Sequence, residues 1–286
     1  MGRDLRDNVI VITGASAGIG AATAIEAARA GMHAVLAARR TDKLEQTADR
    51  VREIGRRAEV VPCDVADEGQ VDRLIQRTAD RFGRLDVMFA NAGYGFMRPV
   101  DLVDDPMHRR IFDVNYFGTV HCVRKALPLM RAAGSGHLLI TSSIVARVGI
   151  PNYAPYAATK AAQDVLAMAL RAELEPEGIH VTAVYPIGTK TEFFQVSAAV
   201  GGQDTISENT PQALMQSPDH VARRVVNALR RPCPEVWPAR WAHFASSMAT
   251  LFPRLTHAAL RRHARADRDR VAQLRRDAES NNAPSP

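Results

Sequence analysis

The chain has 286 residues, of which 46% are hydrophobic and 24% are charged, a composition typical of a globular protein that buries its own core. Its net charge of +6 lies in residues 230–286, which hold 11 arginines and 5 acidic residues, whereas the 26 basic and 26 acidic residues before them balance. Because a basic appendage is a weaker signal for nucleic-acid binding than a basic face with interleaved aromatic residues, we predict no nucleic-acid partner.

The three cysteines, Cys63, Cys122 and Cys233, are widely spaced. This spacing predicts neither a disulfide framework nor a metal site, and we interpret the cysteines as reduced thiols. No cluster of His, Cys and carboxylate residues predicts a metal ion either. The first residues are too charged for a signal peptide, and no apolar run approaches the roughly 18 residues of a membrane span. We therefore expect a cytoplasmic protein.

Six short apolar segments predict the strands of a parallel sheet. Their Val, Ile and Leu residues occupy successive rather than alternate positions, which is typical of strands buried on both faces. The segments are residues 8–13, 33–38, 58–62, 86–90, 137–141 and 180–185. Helical segments rich in Ala, Arg and Glu separate them. This alternation predicts an α/β fold, a doubly wound sheet with helices on both faces.

Three glycines, Gly14, Gly18 and Gly20, follow the first predicted strand and open the first helix. A bare backbone at such a turn lets a pyrophosphate approach, and the helix N-terminus stabilises its charge. After the second strand, where NAD sites place a carboxylate, this chain has Arg39 and Arg40. Guanidinium groups suit a 2′-phosphate, so we predict NADP(H) as the preferred cofactor, with NAD(H) as the alternative.

Tyr156 and Lys160 stand four residues apart and therefore share one face of a helix. Tyr153 has Ala157 at the same offset. A nearby ammonium favours the ionised form of a phenol, so we expect Lys160 to lower the pKa of Tyr156 toward the range that acid–base catalysis needs. Ser143 follows the fifth predicted strand, at the edge of the sheet where ligands bind.

The segment 192–216 is expected to form a loop that covers the crevice and sets substrate choice. Phe96, Met97, Phe193 and Phe194 predict either an apolar substrate wall or ordinary core packing, and the sequence leaves both open.

From Pro238 onward the sequence changes character. Large apolar residues recur at helical spacing with arginines beside them, and they are Trp241, Phe244, Met248, Leu251, Phe252 and Leu255. We predict that this basic amphipathic segment packs over the substrate pocket or against a dimer partner, and keep contact with an anionic membrane surface as the less favoured alternative. Residues 265–286 are expected to fray. The predicted division is a domain over 1–230 and a helical extension over 231–286.

Taken together, these motifs resemble the short-chain dehydrogenase/reductases over residues 6–195. The motifs are TGASAGIG (13–20), CDV (63–65), NAG (91–93), Asn115, Ser143 and YAATK (156–160). The resemblance implies a Rossmann-like single domain with a nicotinamide cofactor and a small carbonyl or alcohol substrate. It also implies a homodimer or homotetramer, assembled through long helices around 106–131 and 154–175.

The resemblance assigns a role to each candidate catalytic residue. It implies that Tyr156 is the general acid/base and that Lys160 lowers its pKa and holds the nicotinamide ribose. Ser143 would hydrogen-bond the substrate oxygen, and Asn115 would support a water-linked proton relay. With the glycine and arginine predictions, the implied cofactor contacts beyond Tyr156 and Lys160 are Gly14, Ser16, Ala17, Gly18, Ile19, Gly20, Arg39, Arg40, Asp64, Val65, Asn91, Ala92, Gly93, Pro186, Ile187, Thr189 and Thr191.

One departure concerns the segment after the sixth strand, where the family usually has Pro-Gly-x-x-x-Thr. Pro186 and Thr191 stand at the expected offset, but Ile187 replaces the glycine. We expect the nicotinamide end to function, since Thr189 and Thr191 keep hydroxyl groups there. The predicted function is NADP(H)-dependent interconversion of a carbonyl and a secondary alcohol on a small or apolar substrate. An NAD(H)-dependent alcohol or steroid-type dehydrogenase and a non-catalytic dinucleotide-binding scaffold are the alternatives.

Overall fold

A computed structural model describes residues 2–189, 191–201 and 215–282 of the chain. Its seven strands are β1 (Val9–Thr13), β2 (His33–Ala38), β3 (Ala58–Pro62), β4 (Val87–Ala90), β5 (Gly136–Thr141), β6 (Ile179–Val184) and β7 (Glu235–Val236). They form one parallel sheet in the order β3-β2-β1-β4-β5-β6-β7.

The described helices connect the strands and continue beyond the last one. They are α1 (Gly18–Arg29), α2 (Thr41–Glu53), α3 (Glu68–Phe82), α4 (Asp105–Phe112), α5 (Gly118–Ala133), α6 (Ala154–Leu174), α7 (Phe193–Gly201), α8 (Pro218–Arg230), α9 (Arg240–Leu251), α10 (Pro253–Ala266) and α11 (Arg268–Asn282). No helix within the described ranges is long and apolar enough to cross a membrane.

Successive residues along a strand pack on opposite faces of the sheet, and both faces are buried. This explains the unbroken apolar runs in the sequence. Val9 and Val11 pack on one face of the sheet with α3, α5 and α6. Ile10 and Ile12 pack on the other face with α1, α2 and α8. The predicted α/β doubly wound sheet and its six strands are confirmed.

The seventh strand was not predicted, because two residues are too few to produce a recognisable pattern. It pairs with β6, and it lies after residue 230, so the sheet draws on both sides of the domain boundary that we placed there. Directly after it, Trp237 is buried and stacks on Tyr185 with ring centroids 4.2 Å apart. The division into 1–230 and 231–286 stays a prediction.

Two predicted segments differ from the structure. The helix expected around 106–131 is interrupted by a π-helical turn at Asp113–Phe117. Most of residues 265–286, which we expected to fray, form α11, and Arg275 on that helix pairs with Asp101. In the predicted substrate loop, α7 begins at Phe193, and residues 202–214 lie outside the described residues. The three cysteines are free thiols.

Candidate active site

A cavity of about 1010 Å³ opens where the strands end at their carboxyl side, the place where open α/β sheets bind ligands. Every predicted site residue except Gly20 and Asn115 lines it. The glycine turn and the arginines after β2 stand at one part of its wall, and Ser143, Tyr156 and Lys160 at another. The motifs that are scattered through the sequence therefore meet in one cavity.

The turn between β1 and α1 is shaped for close approach of a ligand to the backbone. Gly18 has a φ of +58°, and a Cβ atom there would lie 2.8 Å from Cγ2 of Thr191. A Cβ atom on Gly20 would overlap the carbonyl oxygen of Gly14. The N-terminus of α1 has no side-chain cap and no acidic residue in its first turn. Its N–H groups thus suit a pyrophosphate.

Asn91 fixes the strand ends beside this turn. Its amide nitrogen donates to the carbonyl oxygen of Thr13 at 3.0 Å, and its side-chain oxygen accepts from Thr141 at 3.2 Å. The ends of β1, β4 and β5 are therefore held together by one side chain, and Ala92 and Gly93 follow it along the cavity wall.

The two arginines after β2 differ in their partners. Arg40 forms an ion pair with Glu192 at 2.7 Å and donates to Ser16 at 3.1 Å, and Lys43 also pairs with Glu192. The Lys43 and Arg40 hydrogen bonds lower the pKa of Glu192. Arg39 is exposed and has no hydrogen bond or ion pair within the described ranges. Its charge helps to lower the pKa of Asp64 without forming an ion pair with that carboxylate, so the guanidinium donors of Arg39 are open to a ligand.

Asp64 lies on the same wall and is held by Arg110. Although partial burial disfavours its charged form, the hydrogen bond from Arg110 holds the pKa of Asp64 below its usual value. Its side chain also accepts from the backbone nitrogen of Ala66 at 3.1 Å. The carboxylate is therefore ionised and fixed in place.

Tyr156 is buried near the start of α6, and burial raises its pKa well above the usual value, while a hydrogen bond with Ser143 acts in the opposite direction. This net direction is the reverse of the one we expected from Lys160. The reason is desolvation, since the phenolate is less stable than the phenol away from water. Ser143 stands at the N-cap of the 3₁₀ turn Ile144–Ala146 and accepts from Val145 at 3.4 Å.

Lys160 is buried too, and burial lowers its pKa to about 7. Its ammonium donates to the carbonyl oxygen of Thr141 at 2.8 Å and to Oε1 of Gln163 at 2.9 Å. The nitrogen lies 5.6 Å from the centroid of the Tyr156 ring. The fold therefore shifts the two pKa values in opposite directions, upward for the phenol and downward for the ammonium.

Gln163 was not among the predicted site residues. Its amide nitrogen donates to the backbone carbonyl of Asn115 at 2.8 Å and to Oγ1 of Thr119 at 2.7 Å. Gln163 thus links Lys160 to the π-helical turn. A signal existed in the sequence, because Gln163 stands three residues after Lys160 and so faces the same side of α6.

Asn115 lies in the π-helical turn and is fully buried, beside the cavity rather than on its wall. Its side chain accepts from the nitrogen of Tyr94 at 3.0 Å and donates to Oγ1 of Thr159 at 3.0 Å. These bonds attach the segment after β4 to α6. The backbone carbonyl of Asn115 is connected to Lys160 through Gln163, which donates to that carbonyl and accepts from the lysine.

A second unpredicted network supports the segment that carries Ser143. Arg147 donates to Asp164 at 3.2 Å and to the Tyr185 hydroxyl at 2.9 Å, and it pairs with Glu235. These partners belong to α6, the end of β6 and β7. The distances between those elements in the sequence explain why no local pattern predicted the network.

The part of the cavity beyond Tyr156 is lined mainly by apolar side chains. Met97, Phe193 and Phe194 stand on its wall, whereas Phe96 is fully buried in the core, so both interpretations of these residues hold in part. Ile187 also lines the cavity and packs against the core. The unpredicted lining residues include Tyr94, Met107, Ile150, Val196, Val200 and, from α10, His263.

The buried lysine predicts a specific dependence of stability on pH. Because the pKa of Lys160 is about 7 in the folded chain and 10.5 in its ordinary state, the unfolded chain binds more protons between these values, and stability rises with pH across that window. Above about pH 10 the raised pKa of Tyr156 acts in the opposite direction.

We therefore predict that wild type gains stability relative to Lys160→Met between about pH 7 and pH 10, by about 5 kcal/mol at most. Urea unfolding of both proteins at a series of pH values measures the difference. A difference that stays constant over this range would contradict the burial of the ammonium.

Comparison with known proteins agrees with the geometry. The family model described as short chain dehydrogenase matches residues 8–200. An A-factor type gamma-butyrolactone 1′-reductase (1S-forming) of Streptomyces virginiae is 36% identical over 222 residues, which cover 76% of this chain and 86% of that protein. The glycine betaine reductase ATRR of Emericella nidulans is 33% identical over 228 residues, 80% of this chain but only 18% of that longer protein.

A solved structure shows the same fold. The short chain dehydrogenase/reductase of Burkholderia phymatum, in complex with NAD, has a TM-score of 0.76 at 22% identity, covering 88% of this chain and 96% of that one. The match to the family model extends over more than half of the chain. The chain therefore belongs to the short-chain dehydrogenase family and is an NAD(P)-dependent dehydrogenase/reductase.

Proposed function

We propose that the protein is an NADP(H)-dependent oxidoreductase that interconverts a carbonyl and a secondary alcohol on a small, apolar substrate. The observation that carries this proposal is a cavity that joins the glycine turn and the exposed Arg39 to the group of Ser143, Tyr156 and Lys160. A dinucleotide bound along this wall would have its two ends at these two places.

The preference for NADP(H) rests on Arg39. A 2′-phosphate at the end of β2 needs a cation with free hydrogen-bond donors. Arg39 is exposed and forms no ion pair within the described ranges, although its charge also acts on the nearby carboxylate of Asp64. Arg40 is partly neutralised by Glu192 and serves as a second, weaker partner. NAD(H) remains the alternative cofactor.

The remaining cofactor contacts follow from the cavity wall. The N-terminus of α1 would hold the pyrophosphate, Asp64 and Val65 would border the adenine, and Lys160 would reach the nicotinamide ribose. Ile187 is compatible with the proposed nicotinamide end, because it packs against the core and also lines the cavity. The bound nicotinamide would supply or accept the hydride.

In the reduction direction, Ser143 and Tyr156 would donate hydrogen bonds to the substrate oxygen while negative charge develops on it. Tyr156 then transfers its hydroxyl proton to that oxygen. The raised pKa of Tyr156 keeps the phenol protonated at neutral pH, which is the form that a general acid requires.

Lys160 would restore the proton to Tyr156. With a pKa of about 7 it carries a proton part of the time at neutral pH and can release it. When it is protonated, its charge favours the phenolate that remains on Tyr156 after proton transfer. Gln163 acts as a positioning residue, since it holds the ammonium through Oε1 and is itself held by Asn115 and Thr119.

The substrate end of the cavity favours an apolar carbonyl compound, because Met97, Phe193 and Phe194 form its wall. The two curated relatives are named as reductases, which supports carbonyl reduction as the direction of the reaction, but their names give different substrates.

We further propose that the protein is cytoplasmic and assembles as a homodimer or homotetramer. Exposed Phe117, Val165 and Met168 on and beside α5 and α6 offer an apolar face for such assembly.

The acid/base role predicts that Tyr156→Phe lowers kcat at least about 100-fold, since general acid–base catalysis contributes that much. NADPH affinity should stay within about twofold. Tyr153→Phe is the matched control, and its kcat should fall by less than about tenfold. Carbonyl reduction followed by NADPH absorbance measures all three proteins. Near-normal turnover of Tyr156→Phe, or equal losses in both variants, would remove Tyr156 from this role.

The cofactor preference predicts opposite effects at two charged positions. Arg39→Ala should weaken NADPH binding about tenfold or more and leave NADH binding unchanged, because only NADPH carries the 2′-phosphate. Glu192→Gln should strengthen NADPH binding, since it releases Arg40 and Lys43. Fluorescence titration with both nucleotides measures the affinities. Equal loss for NADPH and NADH in Arg39→Ala would contradict the assignment.

The positioning role of Gln163 predicts a change in pH dependence. Gln163→Glu places a carboxylate against the ammonium and should raise the pKa of Lys160, shifting the corresponding limb of the kcat profile to higher pH. Gln163→Leu removes the hydrogen bond that Gln163 accepts from Lys160, and it should lower kcat by about tenfold. A purely structural role would reduce activity without moving the profile, and that result would count against the proposal.

A further inference from the structure

The helices α9 and α10 present an unusual concentration of large apolar side chains to solvent. Five of the eleven exposed large hydrophobic residues of the described chain lie between positions 241 and 255. They are Trp241, Phe244, Leu251, Phe252 and Leu255, with exposed fractions from 51% to 69%. We name these five residues the apolar stripe. Trp241, Phe244 and Leu251 share one side of α9 by their spacing. Phe252 lies at the junction with α10, and Leu255 lies in the first turn of α10.

The opposite side of α9 is anchored to the protein. Ala242 and Ser246 are fully buried, and the ring of His243 stacks on Trp237 at 5.0 Å. Trp237 in turn stacks on Tyr185 at the end of β6. Because the inner side is already packed, α9 cannot turn its apolar stripe inward without losing these contacts.

The charged residues within the segment that carries the stripe are arginines. Between Glu235 and Asp267 the sequence has no acidic residue. The same interval holds five arginines, all exposed, and they are Arg240, Arg254, Arg261, Arg262 and Arg265. A helix that combines exposed Trp, Phe and Leu residues with arginines and no acid is typical of segments that lie on anionic lipid.

We propose that α9 and α10 dock the protein on the surface of an anionic phospholipid membrane. The apolar stripe enters the boundary between headgroups and acyl chains, and the arginines contact lipid phosphates. A second copy of the chain fits this surface less well, because pairing two stripes would bring ten arginines together with no acid among them. The surface therefore matches lipid better than itself.

The docking helix also reaches the active site. On α10, His263 lines the cavity and stands eight residues after Leu255, about 12 Å along the helix. The apolar stripe is thus close to the cavity wall. If the proposed function holds, an apolar carbonyl compound dissolved in the membrane would have a short path to Tyr156.

Vesicle co-sedimentation of the full chain tests the proposal without any measurement of activity. Vesicles of phosphatidylcholine with phosphatidylglycerol should bind the protein at low salt, and vesicles of phosphatidylcholine alone should bind it at least about tenfold more weakly. High salt should reduce binding to the anionic vesicles, because it screens the arginines.

Two pairs of substitutions test the contributions of the apolar stripe and of the neighbouring arginines to vesicle binding separately. Phe244→Ser combined with Leu255→Ser should lower anionic-vesicle binding at least about tenfold, and Arg254→Gln combined with Arg262→Gln should lower it by about fivefold for each arginine. The matched control, Ile54→Ser with Val100→Ser, removes two exposed apolar residues elsewhere and should bind as wild type. Circular dichroism and NADPH titration confirm that each variant is folded.

Absence of binding to anionic vesicles at low salt would overturn the proposal. An equal loss of vesicle binding in the stripe variant and in the control variant would overturn it too. Sedimentation velocity tests the alternative that a second copy of the chain packs on the apolar stripe. If the stripe variant changes the oligomeric state while vesicles leave wild type unbound, a second copy covers the stripe and the proposal is wrong. A protein that binds vesicles but not NADPH would leave the docking intact and contradict only the proposed function.

Discussion

The burial of one ammonium group, Lys160, is the constraint on which the rest of the active site depends. A charged lysine away from water requires hydrogen-bond acceptors in fixed positions. The end of β5 provides the Thr141 carbonyl, and α6 provides Gln163, which the π-helical turn holds through the Asn115 carbonyl. Three elements from distant parts of the chain must therefore be in register before the lysine can be accommodated.

The same burial explains the chemistry that we propose. Exclusion of water raises the pKa of Tyr156 and lowers that of Lys160, so the phenol keeps its proton and the lysine can release one near neutral pH. An exposed pair at the same helical spacing would have neither property. These two protonation states are the ones that the proposed acid role of Tyr156 and the proposed proton-supplying role of Lys160 require.

The sequence predicted those parts of the molecule that depend on local patterns. Six strands were recognisable because both of their faces are buried, and the glycine turn because it follows the first strand directly. It did not predict β7, Arg147 or His263, whose positions depend on pairing and packing between distant segments. We predicted that the pKa of Tyr156 is lowered, and it is raised. Spacing in the sequence reveals a neighbouring charge but not the loss of water around the phenol.

The protonation of Lys160 can be measured directly, because the chain has only four lysines among its 37 basic residues. Labelling with lysine that carries ¹³C at the ε-carbon gives one NMR signal for each, and Lys160→Met identifies the signal of interest. We predict that this signal titrates near pH 7, whereas an exposed lysine titrates above about pH 10. Titration of the Lys160 signal near pH 10 would contradict the account of the site.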